Sequence, residues 1–379
     1  MKFENDMLYL SLCALNDRAP DIKRVEKMDL DILYKYCKAH NIVALVCYAL
    51  ETVITPPKNW LEEKGKAIRK NLLFDIERQK ITSFMDKNNI KYLPLKGILL
   101  KDYYPKAGMR QMSDNDIYFN KAFKEHLKEF MLSAGYRLVS YDNYHDVYEK
   151  PPVYNFEMHH SLFEGATEKQ LYKYYSDIEK RLIKDEATNT YHLSDEDFYI
   201  YIIAHEYKHY SNYGTGIRSL LDCYILLNRF ENKLDWNYIK LETDKLGLTK
   251  FEESQRQLCK KLLNYFDRVD FTNEDIKMLN YFVSGGVYGN LKTSVVNQLT
   301  GVIGDNDKKI TFNMKAKYIF QRLFPPMEFY KLYHPFFYRH KYLLPICFFY
   351  RIFKLLFKKS KKQEAEIQVL KSKNNGQSH

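Results

Sequence analysis

The chain has 379 residues, 45% of them hydrophobic, which excludes a disordered protein and leaves room for more than one packed core. It carries 59 Lys and Arg against 48 Asp and Glu, a formal net charge of +11. From Lys331 onward, eleven Lys and Arg face only Glu364 and Glu366, so the basic excess belongs mainly to the tail and the body does not indicate a nucleic-acid-binding surface.

The first 55 or so residues read as helices. The opening MKFENDMLYLSLCALND mixes acids into its apolar patch and lacks a small-residue cleavage site, so it is expected to be a helix and not a signal peptide. Asp29 is an N-cap candidate for the next helix. Pro56-Pro57 breaks the pattern, and a long helix is expected from about Asn59 to Lys87, with Ile68, Leu72, Ile76, Ile81, Phe84 and Met85 on its buried stripe. The six cysteines are scattered without a CxxC pair and read as reduced, buried thiols of a cytoplasmic protein.

From about 90 to 165 strands and helices alternate. Ile90–Leu95 predicts a strand, Ile98–Tyr104 a short helix stopped by Pro105, and Asp116–Phe119 a second strand. Lys121–Ala134 predicts a helix ending at Gly135, and Tyr136–Ser140, Asp146–Glu149 and Val153–Phe163 predict further strands. From Ser194 the pattern turns helical, over Asp197–Tyr210, Ile217–Phe230, Trp236–Leu246 and Lys250–Phe266. Residues 268–310 look less regular, and the last dozen look disordered. The fold class expected is α+β: a small mixed sheet with N-terminal helices and a C-terminal helical domain. The expected divisions are 1–60 (helical), 61–165 (the α/β core), 190–325 (helical) and 326–379 (a basic aromatic tail).

The chemistry concentrates in LPLKGILLKDYYPKAGMRQMSDNDIYF, residues 93–119. Side chains two apart on a strand share a face, which would put Asp114 and Asp116 together. A glycine turn that opens a helix leaves backbone N–H groups able to hold phosphate. Gly97 would let that backbone approach closely, Lys96 would neutralise the charge, and Arg110 could bind a phosphate bidentately. Glu157 and His159 share one face of a later strand, while Phe156 and Met158 face the other way. Three carboxylates converging from neighbouring strands suit a hard divalent cation in phosphoryl transfer, with Glu157 completing the metal site or taking a proton from an attacking hydroxyl. The alternative is a solvent-facing aspartate pair beside ordinary surface cations.

LPLKGILLKDYYP, Arg110, SDNDIYF, Gly135-Tyr136 and FEMHHSLF together resemble a bacterial family of uncharacterised nucleotidyltransferases, within the superfamily of polymerase-beta-like and kanamycin nucleotidyltransferases. AHEYKHY, with Arg218 and Asp222 downstream, resembles that family's helical H-x-x-K-H segment, and MDLDILYKYCKAHNIVALV its N-terminal helix. The likeness runs over about 25–325. Lys-Gly stands where the wider superfamily has Gly-Ser, and Asn115 separates the aspartates where an apolar residue is usual. The resemblance implies Asp114, Asp116 and Glu157 as ligands of Mg²⁺ or Mn²⁺, and Lys96 and Gly97 at the triphosphate of an NTP. It implies transfer of a nucleoside monophosphate to an acceptor hydroxyl that the sequence does not name. A catalytically inactive binding protein of the same fold is the alternative.

His205-Glu206-Tyr207-Lys208-His209 also matches HExxH, which on a helix could hold zinc for a hydrolase if Glu231 or Glu242 supplied a third ligand. The resemblance instead assigns His205, Lys208 and His209 to the helical part, facing the site and, with His159, supporting its ligands; the alternative is that they are structural helix residues bonded to neighbours. In the tail, residues 336–359 are apolar, aromatic and basic, with an uncharged run (Tyr342–Tyr350) too short to span a bilayer. The segment reads either as a peripheral membrane contact or as a C-terminal helix packed on the body with a solvated KKSKK end.

Overall fold

The computed structural model describes residues 2–142, 144–267, 269–286, 289, 291–300, 310–357 and 361–371. The chain forms two compact units, one of residues 1–205 and 217–271 and the other of 206–216 and 272–379.

The first unit begins with α1 (Lys2–Leu15), α2 (Ile22–Val25), α3 (Leu30–Ala39) and α4 (Val43–Leu50). Asp29 caps α3, its carboxylate accepting from the backbone N–H of Asp31 and Ile32 at 3.1 and 3.0 Å. After Pro56-Pro57, α5 (Lys58–Lys87) runs for 30 residues. Its buried face differs from the expected stripe. Leu72 and Ile76 are both 56% exposed, whereas Ala67, Asn71, Phe74, Glu77, Ile81 and Met85 are buried. Two polar residues can occupy that face because each is bonded. Asn71 donates to Arg110 O at 3.2 Å, and Glu77 accepts from Tyr136 at 3.2 Å and Lys150 at 2.8 Å.

Strand β1 (Tyr92–Pro94), short helix α6 (Gly97–Leu100) and β2 (Asn115–Phe119) follow. Then come α7 (Lys124–Ser133), β3 (Arg137–Tyr141), β4 (His145–Lys150) and β5 (Tyr154–His159). The sheet order is β1-β2-β5-β4-β3, with β2 and β5 parallel and every other neighbouring pair antiparallel. One face packs on α5 and α7: Ile117, Phe119, Phe156 and Met158 join Phe74, Ile81, Met85, Leu127 and Met131 in one core. Side-chain alternation therefore turns Asp116, Glu157 and His159 to the other face. Asn115 sits on the core side, fully buried, and accepts from Arg78 of α5 at 3.0 Å.

Helix α8 (Lys169–Tyr174), the short pair β6 (Ile183–Lys184) and β7 (Tyr191–His192), the first part of α9 (Asp195–Asn212), α10 (Ile217–Phe230), α11 (Trp236–Leu246) and α12 (Thr249–Leu263) complete this unit.

In the second unit the stretch expected to be irregular holds α13 (Asn273–Gly285) and α14 (Leu291–Thr300). A local signal starts α13: Thr272 and Asp275 form a capping box. Tyr281 donates to Tyr210 O at 2.8 Å, and Asn297 bonds Tyr281 at 2.7 Å and Ser211 O at 3.2 Å. Helices α15 (Phe312–Leu323), α16 (Met327–Tyr333), α17 (Pro335–Arg339), α18 (Leu344–Phe357) and α19 (Lys361–Lys371) follow. No described helix is long and apolar enough to cross a membrane. The terminal stretch expected to be disordered lies, beyond Lys371, outside the described residues.

Candidate functional site

The parallel register of β2 and β5 sets Asp116 opposite Glu157, and Tyr118 opposite His159. On the face away from the core, one ligand atom each of Asp116, Glu157 and His159 lies within 4.8 Å of the other two. His159 Nε2 is 2.8 Å from Asp116 Oδ1 and 3.7 Å from Glu157 Oε2. Lys96 Nζ reaches the same Asp116 oxygen at 2.8 Å. Asp114 stands one residue before β2, half-buried and outside this tight group, but its charge acts on both Asp116 and Glu157.

Proton affinities follow from burial and from this crowding of charge. Burial alone would raise the Asp116 carboxyl, but the Lys96 ammonium and the His159 hydrogen bond outweigh it and hold the group well below the usual carboxylate range. Glu157 is pushed up to about 8, by burial first and then by the charges of Asp116 and Asp114. Burial and the charge of Asp116 also raise Asp114. Burial, reinforced by Lys96, brings His159 down to about 4, so at neutral pH the imidazole is uncharged and Nε2–H donates to Asp116. Burial opposes the charge on Lys96, but Asp116 overcomes it and the ammonium persists well into the alkaline range.

Lys96 has φ +47° and ψ −115°, a left-handed conformation that side chains other than glycine rarely adopt. The backbone strain is held where the side chain meets Asp116. Gly97 follows as a buried residue. A Cβ there would strike the Arg110 guanidinium, which Asp222 holds, and come within 2.8 Å of Met112 Sδ, so a side chain at this turn would displace both. Within the turn, Ile98 N bonds Leu95 O at 3.1 Å and Leu99 N bonds Lys96 O at 3.2 Å. Arg110, expected at a phosphate, is buried, and Asp222 of α10 engages its fork: Nε donates to Oδ1 at 2.8 Å and Nη2 to Oδ2 at 2.9 Å. Tyr104 donates to the same carboxylate at 2.8 Å.

Apart from Arg218, the neighbours of the site carry no motif that sequence reasoning could use. Lys70 on α5 donates to Ser113 O at 3.2 Å, and Arg218 on α10 donates to Gln111 O at 3.1 Å. Both cations act on Asp114. Tyr144 packs edge-on to His159 with ring centroids 5.4 Å apart, and His145 stacks on it at 5.3 Å. Tyr201 of α9 is fully buried, its hydroxyl has no hydrogen-bond partner among the described residues, and it feels the charges of Lys96, Asp116 and Glu157. Only Arg218 had a prior signal, through the helical segment that resembles the family.

The HExxH residues lie along α9, with His205 ending the first unit's share and Glu206, Lys208 and His209 belonging to the second. Among the described residues, the metal-capable group of three or more is Asp116, Glu157 and His159, not the HExxH histidines. The two carboxylates considered as a third zinc ligand are engaged elsewhere. Glu231 pairs with Lys260 at 2.5 Å, and Glu242 takes Tyr174, Arg181 and Lys245.

A family model described as uncharacterised nucleotidyltransferase matches residues 26–264. No curated protein and no solved structure matches the chain.

Proposed function

Because the chain belongs to the uncharacterised nucleotidyltransferase family, we propose that it transfers a nucleoside monophosphate from an NTP to an acceptor hydroxyl, in the cytoplasm, with Mg²⁺ or Mn²⁺ bound. The observation that carries this is the convergence of Asp116, Glu157 and His159 from two parallel strands, with Asp114 adding its charge. Two or three oxygen donors in so small a space suit a hard divalent cation. Such an ion would supply charge neutralisation at the triphosphate and at the departing pyrophosphate.

The protein's own groups then divide the work. Asp114 and Asp116 would hold the cation, and Glu157 would either complete that set or act as the base. Lys96 neutralises phosphate charge once it leaves Asp116, and Lys70 and Arg218 add positive charge on the Asp114 side. Gly97 keeps the turn compact against the Arg110 guanidinium, which Asp222 holds in place. The acceptor oxygen attacks the α-phosphorus, a new P–O bond forms, and the bond to the β-phosphate bridging oxygen breaks as pyrophosphate leaves. With Glu157 as the base, the acceptor proton goes to it, which requires the carboxyl to be ionised. His159, neutral and donating, keeps Asp116 in place.

The test is incubation with each labelled NTP, Mg²⁺ or Mn²⁺ and a cell extract, followed by a search for labelled product. Metal-dependent labelling that Asp114→Ala abolishes with melting temperature maintained, and that Asp116→Asn abolishes while circular dichroism shows the protein still folded, is expected. Labelling retained by both variants would remove the assignment. The ion pair between Lys96 and Asp116 supports a second reading, a nucleotide-binding protein without transfer. Calorimetry with the four NTPs separates the two: binding without any product in the extract favours the second.

A further inference from the structure

Helix α18 reverses the arrangement expected of an amphipathic surface helix. Ile346, Phe349, Tyr350 and Phe353 recur at the three- and four-residue spacing that gathers side chains on one face. That face is the outer one: they are 60%, 67%, 50% and 61% exposed. The opposite side packs. Cys347 is fully buried, and Phe348 stacks on Phe324 with ring centroids 5.2 Å apart. Arg351 turns inward, donating from Nη1 to Leu323 O at 3.2 Å and from Nη2 to Arg322 O at 2.7 Å. The guanidinium bonds fix the roll of the helix and leave the aromatic stripe facing out.

Charge along the chain on either side of the stripe has one sign, and Arg339 and Lys341 are exposed just before the helix. Residues 329–363 contain nine Lys and Arg and no Asp or Glu. Phe336 and Tyr342, just before the helix, are also largely exposed. An apolar aromatic stripe among cations matches the boundary between acyl chains and anionic headgroups. A second copy of this chain would oppose like charges across the same face. With 14 residues, α18 is about 21 Å long, shorter than the roughly 30 Å hydrocarbon core of a bilayer, so it would lie along the surface.

We propose that the outer face of α18 docks the protein on an anionic lipid bilayer. The full chain is to be sedimented with vesicles of phosphatidylcholine alone and of phosphatidylcholine with 30% phosphatidylglycerol, at low and high salt. At least tenfold tighter binding to the anionic vesicles, weakened by salt, is expected. The double variant Phe349→Ser/Phe353→Ser, which changes only exposed positions, should lower that binding at least tenfold with an unchanged melting temperature. Arg339→Glu/Lys341→Glu should erode the preference for anionic over neutral vesicles. Equal binding by the Phe349/Phe353 variant and the parent would overturn the proposal, as would no binding to either vesicle. Self-association that the serine variant abolishes, or capture by an RNA or DNA oligonucleotide in place of vesicles, would likewise assign the face to another partner and overturn it.

Discussion

Arg110 grips Asp222 through two parallel hydrogen bonds, 2.8 and 2.9 Å long, across 112 residues of chain. The pair ties the loop before β2 to helix α10, with both side chains about nine-tenths buried. Removing one partner leaves the other charge buried and unpaired. Arg110→Met or Asp222→Leu is therefore expected to destabilise the protein by about 3–5 kcal/mol, and the double replacement by less than the sum of the two. Denaturant unfolding of the three variants measures this.

Glu157 gives the metal site a pH dependence. With its carboxyl at about 8, a proton must leave before the group can serve as a ligand. Divalent-metal affinity should rise about tenfold per pH unit below 8 and level off above it. Titration of Mn²⁺ binding by electron paramagnetic resonance between pH 6 and 9 checks the slope, which Glu157→Gln should flatten.

The same group predicts the stability of the metal-free protein, with the opposite sense from most carboxylates. Its pKa is raised from 4.5 on folding, so between about 4.5 and 8 the folded state holds more protons than the unfolded state. Stability from this residue is complete below about 4.5 and declines as pH rises toward 8. In the presence of EDTA at pH 8, Glu157→Gln should melt roughly 2–4 °C higher than the parent, which corresponds to about 1 kcal/mol. At pH 5 the difference should shrink.

Lys96 competes for the position that a cation would take beside Asp116. Lys96→Met should bind Mn²⁺ at least about tenfold more tightly without nucleotide, since the carboxylates lose their internal counter-charge. It should also bind NTP more weakly and lose transfer. Tighter metal binding together with unimpaired NTP binding would remove the phosphate role and leave the ion pair as structural.

Arg218→Gln tests a residue that the sequence marks only through the helical segment resembling the family. Its charge acts on Asp114. A rise in KM for NTP of roughly tenfold, about 1.4 kcal/mol, with kcat nearly unchanged would show ground-state binding of phosphate charge. A fall in kcat alone would point to Asp114 instead.

The α+β class, the long helix after Pro56-Pro57 and the strands around the aspartates were legible because each rests on local spacing. The buried face of α5 was not. Leu72 and Ile76 looked like its core, yet Asn71 and Glu77 lie inside, because Arg110 O, Tyr136 and Lys150 wait there to bond them. Hydrophobic periodicity cannot register partners that arrive from distant segments. The same limit hid α13 and α14, whose neighbours Tyr210 and Ser211 lie about 70–85 residues earlier.

What the amino-acid order determined by itself is which side chains share a face: Glu157 with His159, away from Phe156 and Met158, since direction alternates along any strand. Tertiary structure alone decided that β5 lies parallel to β2, so that Glu157 stands across from Asp116, and that Lys96 reaches the same carboxylate. It also engaged Arg110 with Asp222. Pairing of strands and of buried charges depends on which segments meet in space, and spacing along the chain carries no record of that meeting.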